Sequence, residues 1–163
     1  MNYMKIKLAK GTGYGSTKLS AFDAALSDAG IENYNLIYLS SVIPPDSTVI
    51  QHDEKVDSLG GEWGDRLYVV MAQKREDQVA GEAWAGIGWV QDDVTGKGLF
   101  VEHTGSSKDE VKTKITLSLE DLLETRGISN MGEIKMQING AVCEDQPVCA
   151  MVIAAYETAS WTS

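Results

Sequence analysis

The stretch Asn35-Leu36-Ile37-Tyr38-Leu39-Ser40-Ser41-Val42-Ile43-Pro44-Pro45 restricts what this chain can fold into more than any other. It opens as a strand from Tyr34, because a β-branched, aromatic and leucine-rich run suits a packed sheet. Two adjacent serines follow, then a double proline, which cannot donate ladder hydrogen bonds and closes the strand. On their own the serines describe a strand end turning into a loop. Side chains alternate along a strand, so Asn35, Ile37, Leu39 and Ser41 share one face. Asn35 and Ser41 then stand roughly 20 Å apart, too far to meet across a small substrate within one chain. If both serve chemistry, the site is built between chains.

Before that stretch, residues 4–9 alternate crudely and read as a first strand with a solvated face. Gly11-Thr12-Gly13-Tyr14-Gly15 precedes a helix and invites a dinucleotide reading. The fingerprint needs a glycine three residues after the second, and Ser16 holds that place. No lysine follows in Walker fashion, so the glycines read as a turn that uses positive φ. Thr17 caps a helix over 18–29, with Gly30 as its stop. Leu19, Phe22, Leu26 and Ala29 define the expected buried stripe. Asp23 lies four after Leu19 and three before Leu26, inside that stripe, where a carboxylate needs a partner. Periodicity leaves two readings open: a structural Asp at a helix–sheet contact, or one facing a ligand.

After it, residues 45–65 are polar and glycine-bearing and read as a loop, with His52 a solvated imidazole. Strands are expected over 66–73, 79–90 and 98–104. In the last, Phe100, Glu102 and Thr104 share one face, and Leu99, Val101 and His103 the other. Glu102 is either a surface strand residue or a carboxyl in an apolar setting, whose raised pKa suits a proton donor. Ser107 and Glu110 form a capping box for a second helix, Asp109 adds negative charge to its first turn, and Gly127 ends it after Arg126. Val111, Ile115, Leu119 and Leu122 form its buried stripe, and Lys108, Lys112 and Glu120 are solvated. Strands over 133–142 and 148–156 complete the order strand-helix-strand-strand, roughly repeated. That near-repeat predicts an α+β sandwich, sheets packed inside and a helix on each outer face. Trp161 is placed to seal an edge or a subunit contact.

With 163 residues the chain reads as a single domain over 1–163. Its 14 basic and 24 acidic residues give a net charge of −10, which argues against nucleic acid as a partner and mildly favours a cationic small molecule. No run approaches a transmembrane length, and Met1-Asn2-Tyr3-Met4-Lys5 does not read as a leader; a cytoplasmic location without membrane contact is expected. Cys143 and Cys149 lack His or Cys neighbours at zinc spacing and read as reduced core thiols in a strand pair, with no metal site.

In this order and spacing, Gly11-Thr-Gly-Tyr-Gly15, Leu19-Ser-Ala-Phe22-Asp23-Ala-Ala-Leu26, Ala29-Gly30-Ile31, Asn33-Tyr34-Asn35-Leu36-Ile37 and Ser40-Ser41-Val-Ile-Pro44-Pro45 resemble the pyruvoyl-dependent arginine decarboxylases. The match is close over residues 11–45. Phe100-Val101-Glu102 and the second helix extend it loosely, and the 51–65 loop departs from it. The resemblance implies a four-layer αββα sandwich assembled as homotrimers, with hexamers as an open further level.

It also implies a chemistry. The Ser41 hydroxyl attacks the Ser40 carbonyl, and the resulting ester eliminates to cut the chain into 1–40 (beta chain) and 41–163 (alpha chain). The dehydroalanine left at position 41 hydrolyses to a covalent pyruvoyl cofactor, which does the work of pyridoxal phosphate. Its ketone forms a Schiff base with L-arginine, which loses carbon dioxide to give agmatine. By the same resemblance Ser41, Glu102 and Asn35 are catalytic, Glu102 as proton donor and Asn35 near the cleavage site. Asp23 holds the guanidinium, a natural bidentate pair, and Leu19 and Tyr34 join it in binding substrate. Asp23 and Asn35 are then expected to face the pyruvoyl of a neighbouring chain. Two alternatives stay open: another amino acid as substrate, or an uncleaved structural partner of an active relative.

Overall fold

A computed structural model describes residues 3–57 and 59–161. Met1 and Asn2, part of the N-terminal reading above, lie outside the described residues. The elements run β1 (Met4–Tyr14), α1 (Lys18–Ala29), β2 (Asn35–Tyr38), β3 (Val42–Ile43), β4 (Ser47–Gln51), β5 (Arg66–Glu76), β6 (Glu82–Gln91), β7 (Gly98–Gly105), α2 (Lys108–Arg126), β8 (Lys135–Val142) and β9 (Val148–Ala159). They form a five-stranded sheet in the order β2-β5-β9-β1-β4 and a four-stranded sheet in the order β3-β7-β6-β8.

Three apolar seams separate four layers. Ala21, Ala25 and Leu26 of α1 pack on Leu67, Val69 and Met151 of the first sheet. Ile6, Leu8, Val70 and Val152 meet Ile87, Trp89 and Phe100 between the sheets. Val111, Ile115 and Leu119 of α2 cover Val90, Leu99 and Val101 of the second sheet. The αββα sandwich expected from element order is what the chain forms.

Several local expectations are corrected. The glycines after the first strand do not make a turn; Gly11 and Gly13 lie inside β1, which runs on to Tyr14. Their role is close approach: a Cβ on Gly13 would fall 2.2 Å from the Ala25 nitrogen and 2.4 Å from the Ala21 carbonyl oxygen. Because α1 sits so near β1, its contact face is made of small residues. Ala21, Ala25 and Ala29 are fully buried with Leu26, whereas Leu19 is 67% exposed and Phe22 only partly covered. Asp23 is therefore on the open side of the helix, not in its buried stripe. Gly13→Ala should cost roughly 3 kcal/mol, at the upper end of overpacking, because backbone rather than a flexible side chain blocks the methyl. A denaturant midpoint equal to that of the parent protein would refute this packing.

The expected 45–65 loop contains an edge strand, β4, paired in parallel with β1 from Met4↔Ser47 to Leu8↔Gln51. Its Thr48-Val49-Ile50 run is β-branched but too short to stand out among polar neighbours. His52, which follows it, is not a solvated imidazole: its Nε2 is buried without a hydrogen-bond partner. Cys143 and Cys149 are free and buried. They do not sit in a strand pair: Cys143 follows the end of β8, and Cys149 lies in β9, which belongs to the other sheet. Burial pushes the Cys149 thiol up to about 11.

Both helix caps match expectation. Thr17 accepts from the Ser20 amide and Gly30 adopts the left-handed conformation that ends α1. Ser107 accepts from the Glu110 amide, although the Glu110 carboxylate reaches back to the Ser106 amide (2.7 Å) rather than to that of Ser107. No helix among the described residues is long and apolar enough to cross a membrane.

Candidate active site

The strand expected to continue through Ser41 ends at Tyr38, because the chain changes sheets there. β2 pairs in parallel with β5 from Asn35↔Arg66 to Tyr38↔Val69. Leu39 N–H donates to the Val69 carbonyl (2.8 Å), and three residues later β3 pairs with β7 through Val42↔Leu99 and Ile43↔Gly98. Residues 39–41 span the two sheets, and the double proline closes β3, not β2. Ser41 makes the turn at φ 80. A side chain in this left-handed region costs about 1–2 kcal/mol, held here by contacts on both sides.

Those contacts converge on Ser41. Its carbonyl accepts from the Phe100 N–H at 2.8 Å. Its hydroxyl donates to Glu102 Oε2 at 2.9 Å. The next carbonyl, that of Val42, accepts from the Tyr156 hydroxyl at 2.9 Å. Burial, aided by the nearby Glu102 carboxylate, pushes the Tyr156 phenol well above its usual range, so it stays a donor. Ser40, Ser41 and Glu102 open onto one cavity of about 420 Å³ between β7 and α2. Glu102 is exposed in the single chain, while Leu99, Phe100 and Val101 line the same cavity and Phe100 also reaches into the inter-sheet core.

A hydroxyl, a carboxylate within hydrogen-bond reach and a backbone held out of its preferred region therefore meet at Ser41. The family model for pyruvoyl-dependent arginine decarboxylases (PvlArgDC) matches residues 5–160. The chain belongs to this family. It is 35% identical over 153 residues, 93% of each chain, to a Halobacterium salinarum protein named pyruvoyl-dependent arginine decarboxylase. Proteins of the same name from Methanococcoides burtonii (34%, 78% of this chain and 69% of that one) and Thermococcus kodakarensis (33%, 87% of each) are similar too.

The name of the pyruvoyl-dependent arginine decarboxylase family implies a pyruvoyl group. Residue 41 is followed by β3, which β7 and Tyr156 hold in place independently of β2. The strands flanking the 40–41 bond thus have separate anchors. Among the described residues no group of three His, Cys, Asp or Glu side chains is placed to hold a metal ion.

The remaining sequence-derived residues do not line this cavity. Leu19 and Asp23 are exposed on α1, one turn apart. Tyr34 donates through its hydroxyl to the Gly60 carbonyl (2.6 Å); burial first, then the Asp65 and Glu32 carboxylates, raise its pKa. Asn35 Nδ2 donates to the Gly64 carbonyl at 2.8 Å. The structure thus unites Ser40, Ser41 and Glu102 and leaves Asp23, Leu19, Tyr34 and Asn35 elsewhere on the chain.

Sequence reasoning missed the α2 wall of the cavity, to which Ser118, Asp121 and Thr125 contribute. Their spacing of three and four marks a second helix stripe beside the buried one, a signal present in the sequence. His103, on the face of β7 opposite Glu102, meets the Ser118 hydroxyl at 2.6 Å. Burial, helped by the Lys114 cation, lowers its pKa and favours the neutral ring.

Proposed function

We propose that this chain cuts itself between Ser40 and Ser41 and then decarboxylates L-arginine to agmatine and carbon dioxide. The observation that carries the reading is the Ser41 hydroxyl, 2.9 Å from Glu102 at a residue with φ 80. In the first step Glu102 takes the hydroxyl proton as Oγ bonds to the Ser40 carbonyl carbon. The peptide C–N bond breaks, the proton passes to the freed nitrogen, and an ester links the two segments. Loss of the Ser41 α-proton then expels the Ser40 carboxylate and leaves a dehydroalanine at position 41. Water replaces its nitrogen, which departs as ammonia, and a pyruvoyl group remains.

That group supplies an electrophilic ketone that condenses with a primary amine and accepts the electron pair released with carbon dioxide. The chain's own atoms do the rest. Phe100 N–H polarises the carbonyl of residue 41, next to where the negative charge develops. Glu102 is in place to return a proton to the substrate carbon. Asp23 would hold the guanidinium through a bidentate pair, with Leu19 and Tyr34 beside it, and the fold supports supplying these from a second copy because none lines the Ser41 cavity. We assign the assembly as a homotrimer and the compartment as the cytoplasm. Release of labelled carbon dioxide tests the substrate: arginine should yield it and ornithine, lysine, aspartate and glutamate should not. Release from one of those but not from arginine would reject arginine and keep the chemistry. Release from none would reject both.

A further inference from the structure

We infer that Trp161, through the carbonyl of Gly64, sets the orientation of the Asn35 side chain. This deepens the reading above and rests on Asn35 acting at the 40–41 bond.

The Gly64 carbonyl accepts twice, from Asn35 Nδ2 at 2.8 Å and from Trp161 Nε1 at 2.7 Å. Two lone pairs are what a backbone carbonyl has to give, so its acceptor capacity is filled. Gly64 itself sits at φ 86, a conformation few side chains adopt, which aims this carbonyl at the start of β2. The same corner is stitched on both sides: Gly64 N–H donates to the Asn33 carbonyl and Asn35 N–H to the Asp65 carbonyl, each at 2.8 Å.

The indole is itself held. Its ring lies under the Arg66 guanidinium, 4.9 Å from Cζ to the ring centroid, and Arg66 Nη2 donates to the Ser160 carbonyl at 2.8 Å. Arg66 is the register partner of Asn35. The C-terminal segment is thus fastened to the residue beside Asn35 and to the acceptor that Asn35 uses.

An acceptor facing an amide decides which way round it sits. Gly64 can meet only the NH₂ end, so Asn35 Oδ1 and the second N–H point away, available to the Ser40–Ser41 link of a neighbouring chain or to a substrate carboxylate. If the indole N–H is lost, the Gly64 carbonyl is no longer pinned and the amide loses its fixed orientation. Trp161 is therefore a positioning residue and touches no reacting atom.

Trp161→Phe separates this role from plain edge sealing, because it keeps the ring under Arg66 and removes only the donor. The readout is the rate at which freshly synthesised full-length chain is cut, followed by denatured mass, with the thermal midpoint measured alongside. Trp161→Phe should cut about five-fold more slowly, the worth of one net hydrogen bond, with its midpoint lowered by no more than about 4 °C. Asn35→Ala should cut more slowly still, and adding Trp161→Phe to it should cost nothing further. Wild-type cutting by Trp161→Phe, or a full five-fold penalty repeated in the Asn35→Ala background, overturns the inference while leaving Asn35 its role. Wild-type cutting by Asn35→Ala removes the role of Asn35, and this inference with it.

Discussion

Ser41→Ala should yield a folded, single, uncut chain of 17.7 kDa that releases no carbon dioxide from any amino acid. Alanine has no oxygen to attack the Ser40 carbonyl, so neither the ester nor the keto terminus can form. The fold should survive, because three contacts that hold this corner do not use the Ser41 side chain: Phe100 N–H to the residue 41 carbonyl, Tyr156 hydroxyl to the Val42 carbonyl, and the β3–β7 pairing. The substitution also removes the hydroxyl that Glu102 binds, an exposed hydrogen bond whose loss should shift stability by no more than about 1 kcal/mol. A Ser41→Ala chain that still cuts at this bond would place the nucleophile elsewhere.

The second large effect is expected at Glu102. Glu102→Gln keeps size and hydrogen bonding but cannot take or give a proton as a carboxyl does. General acid–base groups contribute about 10²–10⁴-fold, so kcat for decarboxylation by whatever fraction has been cut should fall within that range. Cutting itself should slow as well, since the same oxygen receives the Ser41 proton. Measuring kcat per keto terminus, counted by hydrazine labelling, separates the two steps. A variant that cuts slowly but turns over normally once cut would confine Glu102 to self-cleavage. Normal rates in both steps would remove it from the mechanism.

Much of this architecture was legible in the sequence because it depends on signals that are local. The Thr17 and Ser107 caps, the Gly30 and Gly127 stops, and the stripe of Val111, Ile115 and Leu119 all lie within a few turns of what they govern. Two kinds of feature were not legible. The first concerns distance of approach: a glycine in a strand looks like a turn until a helix backbone is known to pass over it. Gly11 and Gly13 decide that Ala21 and Ala25 make the close contact with the sheet, with Phe22 only partly covered and Leu19 exposed, and so put Asp23 on the open side.

The second concerns where the chain changes layer. Alternation placed Asn35 and Ser41 on one face of one strand, whereas β2 and β3 belong to different sheets. That crossing gives Ser41 its φ and brings its hydroxyl to Glu102, 61 residues later in the chain. The pairing of Ser41 with Glu102 followed from resemblance in the sequence and follows from hydrogen-bond geometry in the structure. The Gly64–Trp161 contact had no sequence signal, because it joins a loop to the chain end across 97 residues.

The most direct measurement is the mass of the purified protein in denaturant, before and after borohydride reduction in the presence of an amine. Two pieces should appear, corresponding to residues 1–40 and 41–163, summing to the mass of the whole chain plus one water less one ammonia. Only the larger piece should gain the amine. Without denaturant they should stay together, since β1 lies between β9 and β4, and β2 is paired with β5. A single species of 17.7 kDa that takes up no amine would contradict the account.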